Sequence, residues 1–152
     1  MIVKPLLAVF ALAVWLATAP ANAAPCISPA DETALGARYL QTELMVAALS
    51  CSEQSRYNAF VSTFRAQIGA QSAALRKLFK RVYDGNGSRQ LNAYVTRLAN
   101  NAAMRSAGGG KRRYCAVAGN LFAQALATPP RAFPRLTRSV SVRGDHGFRR
   151  CR

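Results

Sequence analysis

The chain has 152 residues, 51% of them hydrophobic, with 21 lysines and arginines against 6 aspartates and glutamates, for a formal net charge of +15. That length suits one domain able to bury a sizeable core, and that apolar fraction excludes a chain that is disordered throughout. The charge is lopsided: residues 24–79 are nearly neutral, whereas residues 80–152 carry Asp84 and Asp145 as their acids among many arginines and lysines.

In chain order, Met1-Ile2-Val3-Lys4 offers one positive charge, and the run from Pro5 to Ala19 is uncharged and apolar. Pro20 and then Ala21-Asn22-Ala23 follow, a helix breaker and a small-x-small site of the kind signal peptidase accepts. A membrane-spanning helix needs about 20 apolar residues, more than this run supplies before its proline. Residues 1–23 therefore read as a signal peptide cleaved after Ala23, which predicts a periplasmic or secreted protein with no membrane span after cleavage. Residues 24–128 read as a helical domain and 129–152 as a basic, disordered tail.

Ser28-Pro29-Ala30-Asp31 has the pattern of a capped helix start, and the first helix is expected over about 29–50. Its apolar positions are Leu35, Tyr39, Leu40, Leu44, Val46, Ala47 and Leu49. Ser50 or Ser52 is expected to cap a second helix, in which Tyr57, Phe60, Val61, Phe64, Ile68, Leu75, Leu78, Phe79 and Val82 recur mostly at spacings of three and four. Gly69 is the expected site of any bend. Asp84-Gly85-Asn86-Gly87 stops that helix, and Ser88 is placed to cap a third that turns Leu91, Tyr94, Val95, Leu98 and Ala102 inward. Gly108-Gly109-Gly110 ends the third. A fourth, about 112–127, carries Tyr114, Val117, Ala118, Leu121, Phe122 and Ala125 on one side. The period of two that marks strands is absent from the sequence. The expected fold is all-α, an up-down four-helix bundle with one or two disulfides.

Four cysteines in an exported chain point to disulfides rather than to a metal site. Short loops make successive helices antiparallel, so Cys51, closing the first helix, and Cys115, opening the fourth, fall at the same end. Cys26 lies at the other end, and a whole helix separates it from Cys51, too far for a disulfide. Cys51–Cys115 is the expected bond. Cys26 and Cys151 pair with each other if the tail folds back, and otherwise stay free or pair elsewhere.

The only histidine is His146, in the tail. That removes Ser-His-Asp and Cys-His catalysis, haem ligation, a di-iron site and a zinc finger from the helical region. Asp84-Gly85-Asn86-Gly87-Ser88 begins like a calcium loop but continues with Arg89 and Val95 where glycine and glutamate are required. No catalytic residue, metal or cofactor is expected. The candidate binding residues are Glu43, which falls between apolar positions of the first helix and needs a partner there, and Lys111, Arg112 and Arg113. Those three sit against the positive end of the fourth helix dipole and suit an anionic partner. Aromatic residues are not interleaved with the tail arginines apart from Phe133 and Phe148, so nucleic acid is not an expected partner.

The run Leu40-Gln41-Thr42-Glu43-Leu44-Met45-Val46-Ala47-Ala48-Leu49-Ser50-Cys51, with Tyr57-Asn58-Ala59-Phe60 and Tyr114-Cys115, resembles small exported bacterial all-helical proteins of unassigned function over about residues 35–127. The resemblance implies no activity and no site residue. The leading expectation is a non-enzymatic exported protein that binds an envelope protein or an anionic surface. The alternatives are a small periplasmic helical enzyme of the chorismate-mutase type, working through arginines and carboxylates, and a periplasmic chaperone or stress protein.

Overall fold

A computed structural model describes residues 26–108, 110–141 and 146–151. The signal peptide read over 1–23, with its cleavage site, lies outside the described residues. Among them the elements are β1 (Cys26–Ile27), α1 (Pro29–Cys51), α2 (Gln54–Thr63), α3 (Arg65–Tyr83), α4 (Gly87–Ala107), α5 (Lys111–Ala127), α6 (Phe133–Ser141) and β2 (Arg149–Arg150). Short 3-10 turns occupy Asp84–Asn86 and Pro130–Ala132. The fold is all-α, apart from a two-residue parallel pairing that sets Cys26 beside Arg149. No described helix is long and apolar enough to cross a membrane.

α1 starts where it does because Ser28 and Asp31 satisfy each other's backbone. The Asp31 N–H donates to Ser28 Oγ at 3.2 Å, and the Ser28 N–H donates to Asp31 Oδ2 at 2.9 Å. Arg81 from α3 donates to the same carboxylate oxygen at 2.8 Å. Burial pushes the Asp31 carboxyl up, but the bonds from Ser28 and Arg81 outweigh it and hold its pKa below the ordinary value. At the other end Ser52 adopts the left-handed conformation, φ 61°, and its N–H returns to the Ala48 carbonyl. Ser52 therefore closes α1 instead of capping α2, whose first turn has no side-chain cap. Ser88 does not cap either: α4 begins at Gly87, whose missing Cβ would lie 2.8 Å from Lys80 Cα. Only glycine lets the chain turn that closely against the end of α3.

α1 divides the core in two. Leu40, Leu44, Ala47 and Ala48 pack with Phe60 and Phe64, with Ala118, Phe122 and Ala125 of α5, and with Phe133, Leu136 and Val140 of α6. Ala34 and Leu35 pack on the other side with Ile27, Leu75, Leu78, Phe79, Tyr94 and Leu98. Tyr39 touches both clusters. The long second helix divides to serve both, and it breaks at Phe64 rather than at Gly69. Phe64 leaves helical geometry at φ −108°, ψ 18°, and its ring is fully buried 4.8 Å from that of Phe133. Gly69 stays inside α3. Two positions expected inward face out: Leu49, at the end of α1, is 72% exposed and Val117 is 60% exposed.

The tail departs most from expectation. Residues 129–152 were expected to be disordered, yet 133–141 form a helix that packs along α1. Phe133, Leu136, Thr137 and Val140 are all buried, at the i, i+3, i+4, i+7 spacing of one helix face. Pro134 is harmless in the first turn, where its missing N–H would have had no partner. Arg135 and Arg138 hide this stripe from a reading by composition, because they lie between its members. Beyond it, Cys151 bonds Cys26 with Cα atoms 4.8 Å apart, and Cys51 bonds Cys115 at 5.6 Å. The two bonds close loops of 125 and 64 residues. In the chain-entropy account each is worth roughly 4–5 kcal/mol.

Replacing Phe133 by alanine is expected to lower the unfolding free energy of the oxidised protein by about 3–5 kcal/mol, the cost of deleting a buried phenylalanine. Denaturant titration measures it. A change below about 0.5 kcal/mol, ordinary for a surface position, would instead mean that the tail is not part of the core.

Candidate functional site

Glu43 follows Tyr39 by one helical turn and lines a gap that α1 shares with α4 and α5, beside the first apolar cluster. There the chain encloses a cleft of about 840 Å³, within the size range of sites for small organic molecules. α1 contributes Tyr39 and Glu43, and the C-terminal turn of α4 contributes Arg105 and Gly108. The first turn of α5 adds Gly110, Arg113 and Tyr114, and its next two turns add Val117, Ala118 and Leu121. The Cys51–Cys115 bond ties this first turn of α5 to the end of α1. The positions of Arg113 and Tyr114, immediately before Cys115, are thereby fixed relative to Glu43.

The partner that a carboxylate needs at position 43 is Arg105, whose Nη2 pairs with Glu43 Oε1. The glutamate side chain is 11% exposed and the arginine 48%, so the pair is buried on the carboxylate side and open on the guanidinium side. Burial pushes the Glu43 carboxyl above its ordinary value, and Arg105 opposes that rise without cancelling it. Tyr114 adds a second unusual group. Its hydroxyl is buried and has no hydrogen-bond partner, a condition that costs free energy until an acceptor arrives. Burial, with the negative charge of Glu43 next in weight, pushes this phenol up as well.

The cleft brings together two of the four candidates read from the sequence. Glu43 and Arg113 line it, while Lys111 and Arg112 are exposed on the same turn as Arg113 and outside the lining. α5 begins at Gly110, which has no side chain to cap the first turn. The three cationic side chains thus stand at the positive end of the helix dipole with no acidic residue in that turn. Arg105, Tyr39 and Val117 were not singled out from the sequence as site residues. Arg105 had a legible signal: it lies three residues after the buried Ala102, at the edge of the inward face of α4. His146 stands apart from the cleft, its Nδ1 accepting from the Phe148 N–H at 3.1 Å. In the turn that opens like a calcium loop, Asn86 Oδ1 accepts from Arg89 at 2.8 Å. Among the described residues, no three histidines, cysteines, aspartates or glutamates gather as a metal site would require. No family model matches the chain, and no curated protein or solved structure matches it.

The raised carboxyl has a consequence for stability. The folded state holds the Glu43 proton more tightly than the unfolded state, so this group favours folding most below the ordinary glutamate value. That contribution is lost as pH rises through the higher, folded value. The variant Glu43→Gln is expected to lose this component. Thermal melts of both proteins from pH 4 to pH 8 check it: the difference in melting temperature, variant minus wild type, should grow with pH. A difference that shrinks with pH would show that the Arg105 pair outweighs burial.

Proposed function

We propose that the chain is an exported, non-enzymatic binding protein that receives an anionic group in the cleft between α1, α4 and α5. One observation carries the reading. The cleft is lined by a single carboxylate and two guanidinium groups, and only Arg105 has an acidic partner among the described residues. An anion arriving there meets Arg113 without first having to break an ion pair. Lys111 and Arg112, exposed just outside, strengthen the attraction at longer range.

Within this reading the partner is a component of the cell envelope, an envelope protein or an anionic surface, and the chain works in the periplasm or outside the cell. The leader-like residues 1–23 and the two disulfides support that compartment, since disulfides persist where the surroundings are oxidising. The same proposal takes α1, the α2–α3 pair, α4 and α5 as the four members of an up-down bundle, with α6 laid along it. A second reading, a small helical enzyme of the chorismate-mutase type, is favoured by the largely buried Glu43 paired with Arg105, an acid–base group that works without histidine. Glu43 is the one carboxylate among the described residues that line the cleft.

Charge reversal tests the leading reading. Arg113→Glu is expected to weaken binding to phosphatidylglycerol vesicles at least tenfold, the scale of one charge pair, while Arg65→Glu, on the exposed start of α3, is not. Wild-type binding should also fall steeply as salt rises from about 0.05 to about 0.5 M. Equal loss in the two variants, or none in Arg113→Glu, would move the anion site away from the cleft.

A further inference from the structure

We propose that the ligand of the cleft is a small organic acid, one carboxylate carried on an apolar body, and that its binding is coupled to protonation of Glu43. This inference rests on the reading of the cleft as an anion site and specifies what that site selects. The charge balance comes first. Glu43 pairs with Arg105, which leaves Arg113 as the guanidinium of the lining with no acidic partner among the described residues, so an anion can meet it without displacing that pair. The donor set comes next. The Tyr114 hydroxyl is buried without an acceptor, one residue from Arg113 on the same helical turn. The fork of N–H donors on one guanidinium suits the two oxygens of one carboxylate.

The body of the ligand follows from the helix period. Val117 and Leu121 lie three and seven residues beyond Tyr114, so they continue its face of α5 away from the charged end. Val117 is 60% exposed although the sequence pattern places it inward, and it stands in the cleft wall with Ala118 and Leu121. An acid held by its carboxylate at Arg113 lays its apolar part along this wall and removes that surface from water. Inorganic phosphate has no apolar body to cover Val117 and Leu121, although Asn120 and Gln124 also line the cleft, and a neutral alcohol brings no charge to Arg113.

The coupling to Glu43 is electrostatic. The charged and titratable groups facing Glu43 around the cleft are Arg105 from α4, Arg113 and Tyr114 from α5, and Tyr39 one turn earlier on α1. A ligand carboxylate in the cleft puts a second negative charge into the space that Glu43 also lines. Like charges in a partly buried site favour a shared proton. Glu43 takes that proton from solvent, so affinity rises as pH falls through the range in which Glu43 titrates.

Isothermal titration of the full, oxidised chain with 3-phenylpropionate tests both halves. The controls are 3-phenylpropan-1-ol, which has the same body without the charge, and inorganic phosphate. Expected are binding of the acid alone, about tenfold tighter at pH 5 than at pH 8, the scale of one partly screened charge interaction. Glu43→Gln should bind the acid at least as tightly as wild type at pH 8 and show no pH dependence. Arg113→Gln should lose binding. Circular dichroism confirms that each variant is folded. Equal binding of the alcohol or of phosphate, or a pH dependence that survives in Glu43→Gln, overturns the inference while leaving the cleft as an anion site. Failure of the acid to bind, with vesicle binding still lost in Arg113→Glu, overturns it in favour of an anionic surface. If Arg113 changes alter no anion's binding, the inference falls together with the reading beneath it.

Discussion

α1 is the element that every other helix touches, and both apolar clusters are built on its sides. This constraint accounts for much of the rest. A helix surrounded in this way must be apolar and small around most of its circumference, which its run of Ala34, Leu35, Ala37, Leu40, Leu44, Ala47 and Ala48 provides. A charged residue on such a helix needs a partner, as Asp31 finds in Arg81, and Glu43 meets Arg105 where the neighbouring helices leave a cleft. The separation of α4 from α5 in front of α1 therefore creates the cleft and also permits the carboxylate in it. The two clusters also set the lengths of the elements around α1. α2 and α3 are divided because one side of α1 requires Phe60 and Phe64 and the other requires Leu75, Leu78 and Phe79.

Helical periodicity made the all-α class and the approximate limits of α1, α4 and α5 readable from sequence, because amphipathic spacing and glycine or proline punctuation agree there. The break at Phe64 was not readable. Its cause is a ring contact with Phe133, more than sixty residues away, whereas local propensity directs attention to Gly69. α6 was hidden for a different reason. Its apolar stripe at 133, 136 and 140 is regular, but it is short and set among arginines and prolines, and composition dominates a window that small. As for the site, Glu43 stood out because its charge interrupts an apolar face, and Arg113 because it belongs to a cationic run. Arg105 stands at the edge of the inward face of α4, but its pairing with Glu43 spans 62 residues of sequence, and no local pattern names that partner.

The acids of this chain are few and the described ones in its first half are all engaged. Asp31 pairs with Arg81, Glu32 with Arg150, Glu43 with Arg105 and Glu53 with Arg56. Three of these four pairs join residues far apart in sequence, each drawing a different part of the basic second half onto α1. The carboxylates are 11–31% exposed against 32–63% for their partners. The pairs thus place the acid inward and the base outward, and the surface is left more uniformly positive than composition alone requires. That is a reason to look for partners of opposite sign, and it also keeps copies of the chain apart by mutual repulsion.

The bond between Cys26 and Cys151 joins the two ends of the described fold, and the bond between Cys51 and Cys115 lies wholly inside the span it encloses. In covalent terms the molecule from 26 to 151 is a ring with a chord. A single peptide cleavage anywhere along that ring, at the glycine turn after α4 or the loop after α5 for example, opens no free fragment. The nicked protein gains one water and loses no segment until it is reduced, because the disulfides hold both sides of the cut. Such a chain can be cut once by a protease and lose backbone continuity without losing a single piece of its core.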